Sequence, residues 1–262
     1  MTALLRRVWR LGIFGLWMWP FAFWSLCRAA GGRAGIRRVA ECTRKWGRFI
    51  VRHVAPVEIE FRSDHEVPPG ALIVSNHQSY IDILVHAALF PIRFAPKAEI
   101  RRWPVFGWYL GISRPVWIDR SSRQKSKEVM EEFRRTLQDG VSLLVYPEGT
   151  TTDGQHDLLP FKSTPFETVV GTDFIIQPVI TRYEIGADGW NPAWYGDQTL
   201  FPHVWKLLGR RKIRVKVTAL PPLAAKPGEE RKELAGRVES IMRSAFAAAE
   251  ASPAAKEVPT AP

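Results

Sequence analysis

The sequence predicts an α/β domain, a mixed and largely parallel sheet flanked by helices, behind an N-terminal helical segment. Three observations carry that expectation. Apolar runs of buried-strand type recur along the chain: ALIVS (71–75), VSLLVYP (141–147) and FIIQPVI (174–180). Stretches of helical spacing alternate with them, as in βαβ units, whose ligands gather beyond the strand ends. The first fifty residues differ from the rest. They hold ten Lys/Arg against the single acid Glu41, and five of the eleven Trp, so nine of the eleven net positive charges lie there.

Residues 1–55 read as membrane-anchoring helices. The uncharged run 11–26 is 16 residues long, about 24 Å as a helix against a hydrocarbon core of about 30 Å. Pro20 would kink it. The run is short for a simple span, and a hairpin dipping into one leaflet fits as well. Residues 36–53 would then be its second, amphipathic helix, with Ile36, Val39, Ala40, Thr43, Trp46 and Ile50 at helical spacing. Trp and Arg flanking an apolar run match a membrane interface that attracts anionic lipid. Nucleic-acid stacking needs exposed rings beside cations; here the rings lie inside the run, so no nucleic-acid partner is expected. A cleaved signal peptide fits poorly, because no small-x-small site follows. Cys27 and Cys42 are the two cysteines and lack CxxC spacing, which argues against a disulfide framework and a cysteine-ligated zinc site and favours a reducing, cytoplasm-facing domain.

Residues 56–250 read as the catalytic domain. VEIEF (57–61) alternates like a strand, and Pro68, Pro69 and Gly70 make a turn before ALIVS. Residues 79–90 form a helix with Ser79 as its candidate cap. IRFAP (92–96) is a short strand. Residues 121–139 form a helix capped by Ser121 or Ser122, with Val129, Phe133 and Leu137 on one face and Gly140 at its end. IRVKVTA (213–219) alternates cleanly and should be half-exposed. Residues 229–250 form a last helix, and the Ala/Pro-rich tail 251–262 is expected to be disordered.

The segment SNHQSYID (75–82) carries the chemistry. His77 and Asp82 are five apart, about 140° off a common face on a continuous helix, so there they would not meet. They meet if His77 lies in the strand-to-helix turn and Asp82 in the first helical turn. A carboxylate at one imidazole nitrogen fixes the tautomer, and the other nitrogen can take a proton from a substrate hydroxyl. This is triad logic in which the acceptor alcohol supplies the nucleophile. Asn76 can hold the turn by a side-chain hydrogen bond. A histidine with an aspartate five residues on is a common coincidence; its place straight after a buried strand singles this one out.

Two further segments sit near strand ends. YPEGTTTDG (146–154) puts Glu148, Gly149 and Thr150 just past a buried strand, where a glycine turn can bring backbone N–H groups to an anion. In KAEIRRWPVFGWYLG (97–111) and Arg120, cations can engage a phosphate, while Trp103, Phe106 and Trp108 can line an acyl channel or touch lipid. Arg101 and Arg102, being neighbours, read as a solvated basic face.

His-x4-Asp, Lys-x-Glu-Ile-x3-Pro-x2-Gly, Arg120, Pro-Glu-Gly-Thr, Phe161-Lys162 and Gln-Pro-Val (177–179) together resemble the ordered motif set of the glycerophospholipid acyltransferases. Within them the chain is most similar to bacterial 1-acylglycerol-3-phosphate acyltransferases, over residues 70–180. The resemblance implies an α/β domain held against the membrane by N-terminal helices, with His77 as base and Asp82 as its partner. Lys97, Arg120, Glu148, Gly149 and Thr150, with Asn76, would bind the acceptor or shape its phosphate site, and Pro178 would wall the pocket. It also implies an acyl-CoA or acyl carrier protein thioester as co-substrate, a lysophospholipid acceptor giving phosphatidic acid, no cofactor and no metal. The expected location is the cytoplasmic side of a bacterial inner membrane. In that reading a backbone N–H near Lys97 stabilises the oxyanion.

Thr151 stands where the family's loop continues with arginine, and Ser163-Thr164 where Lys-Gly is usual. The missing arginine weakens the case for a phosphate monoester acceptor and keeps lyso-ornithine lipid as an alternative. The chain has no HExxH, Gly-x-Ser-x-Gly, phosphate-binding loop or dinucleotide fingerprint. A non-catalytic membrane-surface protein is the alternative of another class, and it would not need ordered polar motifs at strand ends.

Overall fold

The computed structural model describes residues 1–103, 106–119 and 122–251. The expectations for Arg120, Ser121 and nearly all of the tail therefore lie outside the described residues.

Helix α1 (Ala3–Arg28) is a single helix with Pro20 inside it, and Thr2 caps its start. The chain reverses through Gly31 and Gly32, whose φ of 89° and 61° suit glycine, and α2 (Arg33–His53) returns along it. Among the described residues no helix is long and apolar enough to cross a membrane. Three arginines read as lipid-facing are instead engaged within the chain. Arg6 donates to the Gly209 carbonyl at 2.8 and 2.6 Å, Arg7 to that of Trp205 at 2.9 Å, and Arg10 to those of Leu208 and Arg210 at 2.6 Å. These carbonyls close the C-terminal end of α6 (Leu200–Gly209), where a helix leaves acceptors without internal donors.

The sheet is mixed and largely parallel, as expected. Its strands are β1 (Val57–Arg62), β2 (Leu72–Ser75), β3 (Ile92–Phe94), β4 (Ser142–Val145), β5 (Ile175–Tyr183), β6 (Ile213–Ala219) and β7 (Leu223–Ala224). The order is β1-β6-β5-β2-β4-β3, with β7 also pairing β5. Strands β5, β2, β4 and β3 run parallel, while β6 and β7 oppose β5. Hence the chain leaves β2, β3, β4 and β5 at one common edge of the sheet.

Helices α3 (Ile81–Leu89), α5 (Arg123–Gln138) and α7 (Arg231–Ala251) fall where helical spacing predicts them. Ser122 caps α5, and Gly140 follows its end at a φ of 70°. The cap of α3 differs from expectation. The Ser79 hydroxyl does not cap it; the Asp82 carboxylate instead reaches back to the Gln78 and Ser79 N–H groups of the turn before the helix. Helices α4 (Phe106–Ile112) and α6 were not foreseen: both are short, and Pro202 obscures the start of α6.

Two apolar layers enclose the sheet. Ile73 and Leu144 face a core shared with α2, α3 and α6, whereas Leu72, Val74, Leu143 and Val145 face α5 and α7. Helix α2 packs tightly on α3 at Gly47, where a Cβ would meet Ala88 N at 2.7 Å and Ala87 C at 2.8 Å.

Candidate active site

Strand β2 ends at Ser75, and residues 76–80 form the turn into α3. His77 lies in this turn and Asp82 in the first turn of α3, so the two meet as the spacing required: His77 Nδ1 is 2.7 Å from Asp82 Oδ2. The same oxygen accepts Gln78 N–H at 2.7 Å and Ser79 N–H at 3.0 Å, and Oδ1 accepts the Tyr183 hydroxyl at 2.6 Å. Asp82 is fully buried, while 19% of the His77 side chain is exposed. Burial opposes ionisation of Asp82, but the bond and charge of His77, aided by Tyr183, outweigh it and hold the carboxyl below its usual range. The carboxylate fixes Nδ1 as the donor nitrogen and leaves Nε2 able to take a proton.

Asn76 clamps the turn to β5. Its amide donates to the Thr181 carbonyl at 2.9 Å and accepts Thr181 N–H at 2.8 Å. It is 1% exposed. The expectation that Asn76 contacts substrate is corrected: its amide is buried and engaged, and it prolongs strand pairing one step beyond β2. Gln78 does similar work, donating to Thr181 O at 2.8 Å while its own carbonyl accepts Trp194 N–H.

The Pro-Glu-Gly turn leaves β4 beside this one. Glu148 accepts His77 N–H at 2.8 Å and Leu159 N–H at 2.9 Å, so it fixes the histidine's backbone and shapes the site without a free oxygen for it. Burial pushes its carboxyl above the usual range, against those two bonds. Gly149 has a φ of 72°, and a Cβ there would collide with Lys162 Nζ. The Lys162 ammonium therefore lies over this turn. Thr150 is exposed on it, and Thr152 N–H donates to the His77 carbonyl at 2.9 Å.

Lys97 follows β3 at the same sheet edge. It is exposed and bridges to Ile118 at the start of the 3₁₀ turn Ala98–Arg102, where Arg101 and Arg102 face solvent. The backbone N–H groups of Ala98 and Ile100 are bonded to the carbonyls of Ile118 and Lys97, so neither is free for an oxyanion. Pro178 lies within β5, buried opposite Val74. It belongs to the sheet below the strand ends, which does not fit a pocket wall beside His77.

Tyr146, Thr181 and Tyr183 escaped the sequence reading, and the buried His86 joins them in the site. Tyr146 stacks on His77 with ring centroids 3.9 Å apart and planes 11° apart. Its hydroxyl is 3.0 Å from His86 Nδ1, and His86 Nε2 is 3.0 Å from Thr181 Oγ1. Tyr183 anchors Asp82. The available clue was position: Tyr146 and Tyr183 both close a buried strand.

A family model described as Acyltransferase matches residues 58–182, from β1 to the end of β5. A lyso-ornithine lipid O-acyltransferase of Pseudomonas aeruginosa is 30% identical over 245 residues, covering 93% of each chain. The chain belongs to the acyltransferase family. A 1-acyl-sn-glycerol-3-phosphate acyltransferase of Neisseria gonorrhoeae is 32% identical over 70% of this chain and 71% of its own. The solved 1-acyl-sn-glycerophosphate acyltransferase PlsC of Thermotoga maritima shares the fold, with a TM-score of 0.68 over 96% of this chain and 98% of its own at 21% identity. The acyltransferase match contains every ordered motif read from the sequence, and in this acyltransferase the bond from His77 N–H to Glu148 joins the first of them to the Pro-Glu-Gly turn.

Proposed function

We propose that the protein transfers a fatty acyl group from a thioester donor, acyl-CoA or acyl carrier protein, to the free hydroxyl of a lysophospholipid. His77 Nε2 takes the hydroxyl proton, and the alcohol oxygen attacks the thioester carbonyl. The tetrahedral intermediate breaks its C–S bond, and the leaving sulfur receives the proton from His77. Asp82 keeps the imidazole in the right tautomer and offsets the imidazolium charge. The observation that carries this reading is the 2.7 Å contact between a partly exposed imidazole and a fully ligated, buried carboxylate.

As first acceptor we assign 1-acylglycerol-3-phosphate, with phosphatidic acid as product. Lys97 and Lys162 supply cations around the strand-end edge where Thr151 replaces an arginine. Lyso-ornithine lipid is the second reading, favoured by Thr151 and by the relative that matches over 93% of both chains. Purified protein with radiolabelled acyl thioester and a panel containing both lysolipids decides between them. Full transfer activity in a folded His77→Ala protein would end the enzyme mechanism.

The acceptor is a bilayer lipid, and we assign membrane association to α1. Its Trp9, Leu16, Trp17, Trp19 and Phe23 are exposed, and Trp19 meets the exposed Trp108 of α4 at 5.5 Å. Such a face suits a helix lying in the interface. The free Cys27 and Cys42 accord with a catalytic domain on the cytoplasmic side.

A further inference from the structure

Among the described residues, the His77 ring is tied to the fold by one hydrogen bond, Nδ1 to Asp82. A single bond leaves the ring free to swing about that contact, which would carry Nε2 away from an acceptor hydroxyl. The parallel face of Tyr146, 3.9 Å away, blocks that swing. Tyr146 is in turn fixed, because its hydroxyl is bonded to His86, which is 0% exposed. His86 reaches Thr181 Oγ1 at 3.0 Å and Ser75 Oγ at 3.3 Å. Thr181 holds both amide atoms of Asn76, the residue before His77. The contacts thus close on themselves, from His77 through Tyr146, His86, Thr181 and Asn76 back to the turn, joining the ends of β2, β4 and β5 to α3.

We propose that Tyr146 is a positioning residue for His77, its ring held by the buried His86, and that it favours the imidazolium formed during acyl transfer through its π face. The inference rests on the reading of His77 as the base. An aromatic face is electron-rich, so it interacts more strongly with the imidazolium than with the neutral ring. That difference is realised only as the proton moves, and therefore belongs in kcat and not in KM. Burial supports the arrangement by pushing the Tyr146 hydroxyl well up and the His86 imidazole down to about 4, so both stay neutral around pH 7.

The test compares Tyr146→Leu, Tyr146→Phe and His86→Leu with the unaltered protein at saturating lysolipid and thioester. The leucine at 146 fills space without a π face and should lower kcat about tenfold or more, with KM for both substrates within about twofold, a loss of at least about 1.4 kcal/mol. The phenylalanine keeps the face and should restore kcat to within about fivefold. His86→Leu frees the tyrosine and should fall between them. Equal kcat in Tyr146→Leu and the unaltered protein, or equal losses in the Leu and Phe variants, overturns the proposal. If Tyr146→Leu does not fold, Tyr146→Met takes its place under the same criteria. A His77→Ala arm separates the two readings: activity there removes the base itself, whereas a dead His77→Ala with unimpaired Tyr146→Leu removes only the positioning role.

Discussion

Asp82→Asn removes one charge from the site and almost nothing else. The side-chain amide oxygen can take the place of Oδ2 and accept from His77, Gln78 N–H and Ser79 N–H. Its NH2 then faces the Tyr183 oxygen, which can turn from donor to acceptor. The imidazole keeps its tautomer and loses its counter-charge. At about 4 Å between charge centres and an effective dielectric near 20, that attraction is about 4 kcal/mol. Only part of the imidazolium charge has formed at the transition state, so about 3–4 kcal/mol is lost, or roughly 10²–10³-fold in kcat. Asp82→Ala is a poorer probe. It strands Gln78 N–H, Ser79 N–H and the Tyr183 hydroxyl, at about 1–3 kcal/mol each, and mixes folding with catalysis. The assay is turnover of radiolabelled acyl thioester at saturating acceptor, with thermal melting in parallel. An Asp82→Asn protein that melts normally and keeps kcat within about tenfold of the unaltered protein would refute the electrostatic argument.

Gly47→Ala gains helix propensity of about 1 kcal/mol but drives a methyl into the backbone at Ala87 and Ala88, so a net loss of about 1–2 kcal/mol is expected in urea unfolding. Burial lowers the His86 pKa from 6.5 to about 4, so below pH 6.5 the unfolded chain binds a proton that the fold refuses. Stability is therefore lost as pH falls from 6.5 and the loss is complete below about 4, at most roughly 3 kcal/mol. The raised carboxyl of Glu148 works in the opposite sense, so the measurement is the pH slope of the unaltered protein minus that of His86→Leu. A flat difference rejects the buried neutral histidine. Leu16→Ser with Phe23→Ser removes two side chains of α1 that are each 71% exposed, and should weaken partition onto anionic vesicles about tenfold or more while leaving melting unchanged. Unchanged partition excludes that face as the anchor.

Much of the fold was legible. Apolar runs marked β2, β4 and β5 because a strand buried on both faces needs no alternation. The face of Val129, Phe133 and Leu137 marked α5 because a helix packed on a sheet must repeat near 3.6. Helices α4 and α6 were not legible, since each is too short for its period to stand out and is held by tertiary contacts, α6 by arginines of α1. Those arginines also limit what charge can say: counting placed the basicity, but only the structure revealed that Arg6, Arg7 and Arg10 meet carbonyls.

The sequence by itself determined the alternation of elements, the basic aromatic N-terminus and a histidine five residues from an aspartate after a buried strand. All three are short-range patterns, written in neighbours along the chain. Tertiary structure alone decided that Tyr183, 101 positions from Asp82, would hold its second oxygen, that Glu148 would grip the His77 backbone, and that Tyr146 would lie beneath its ring. Which strand ends become neighbours depends on the order of the whole sheet, and no local spacing records that order.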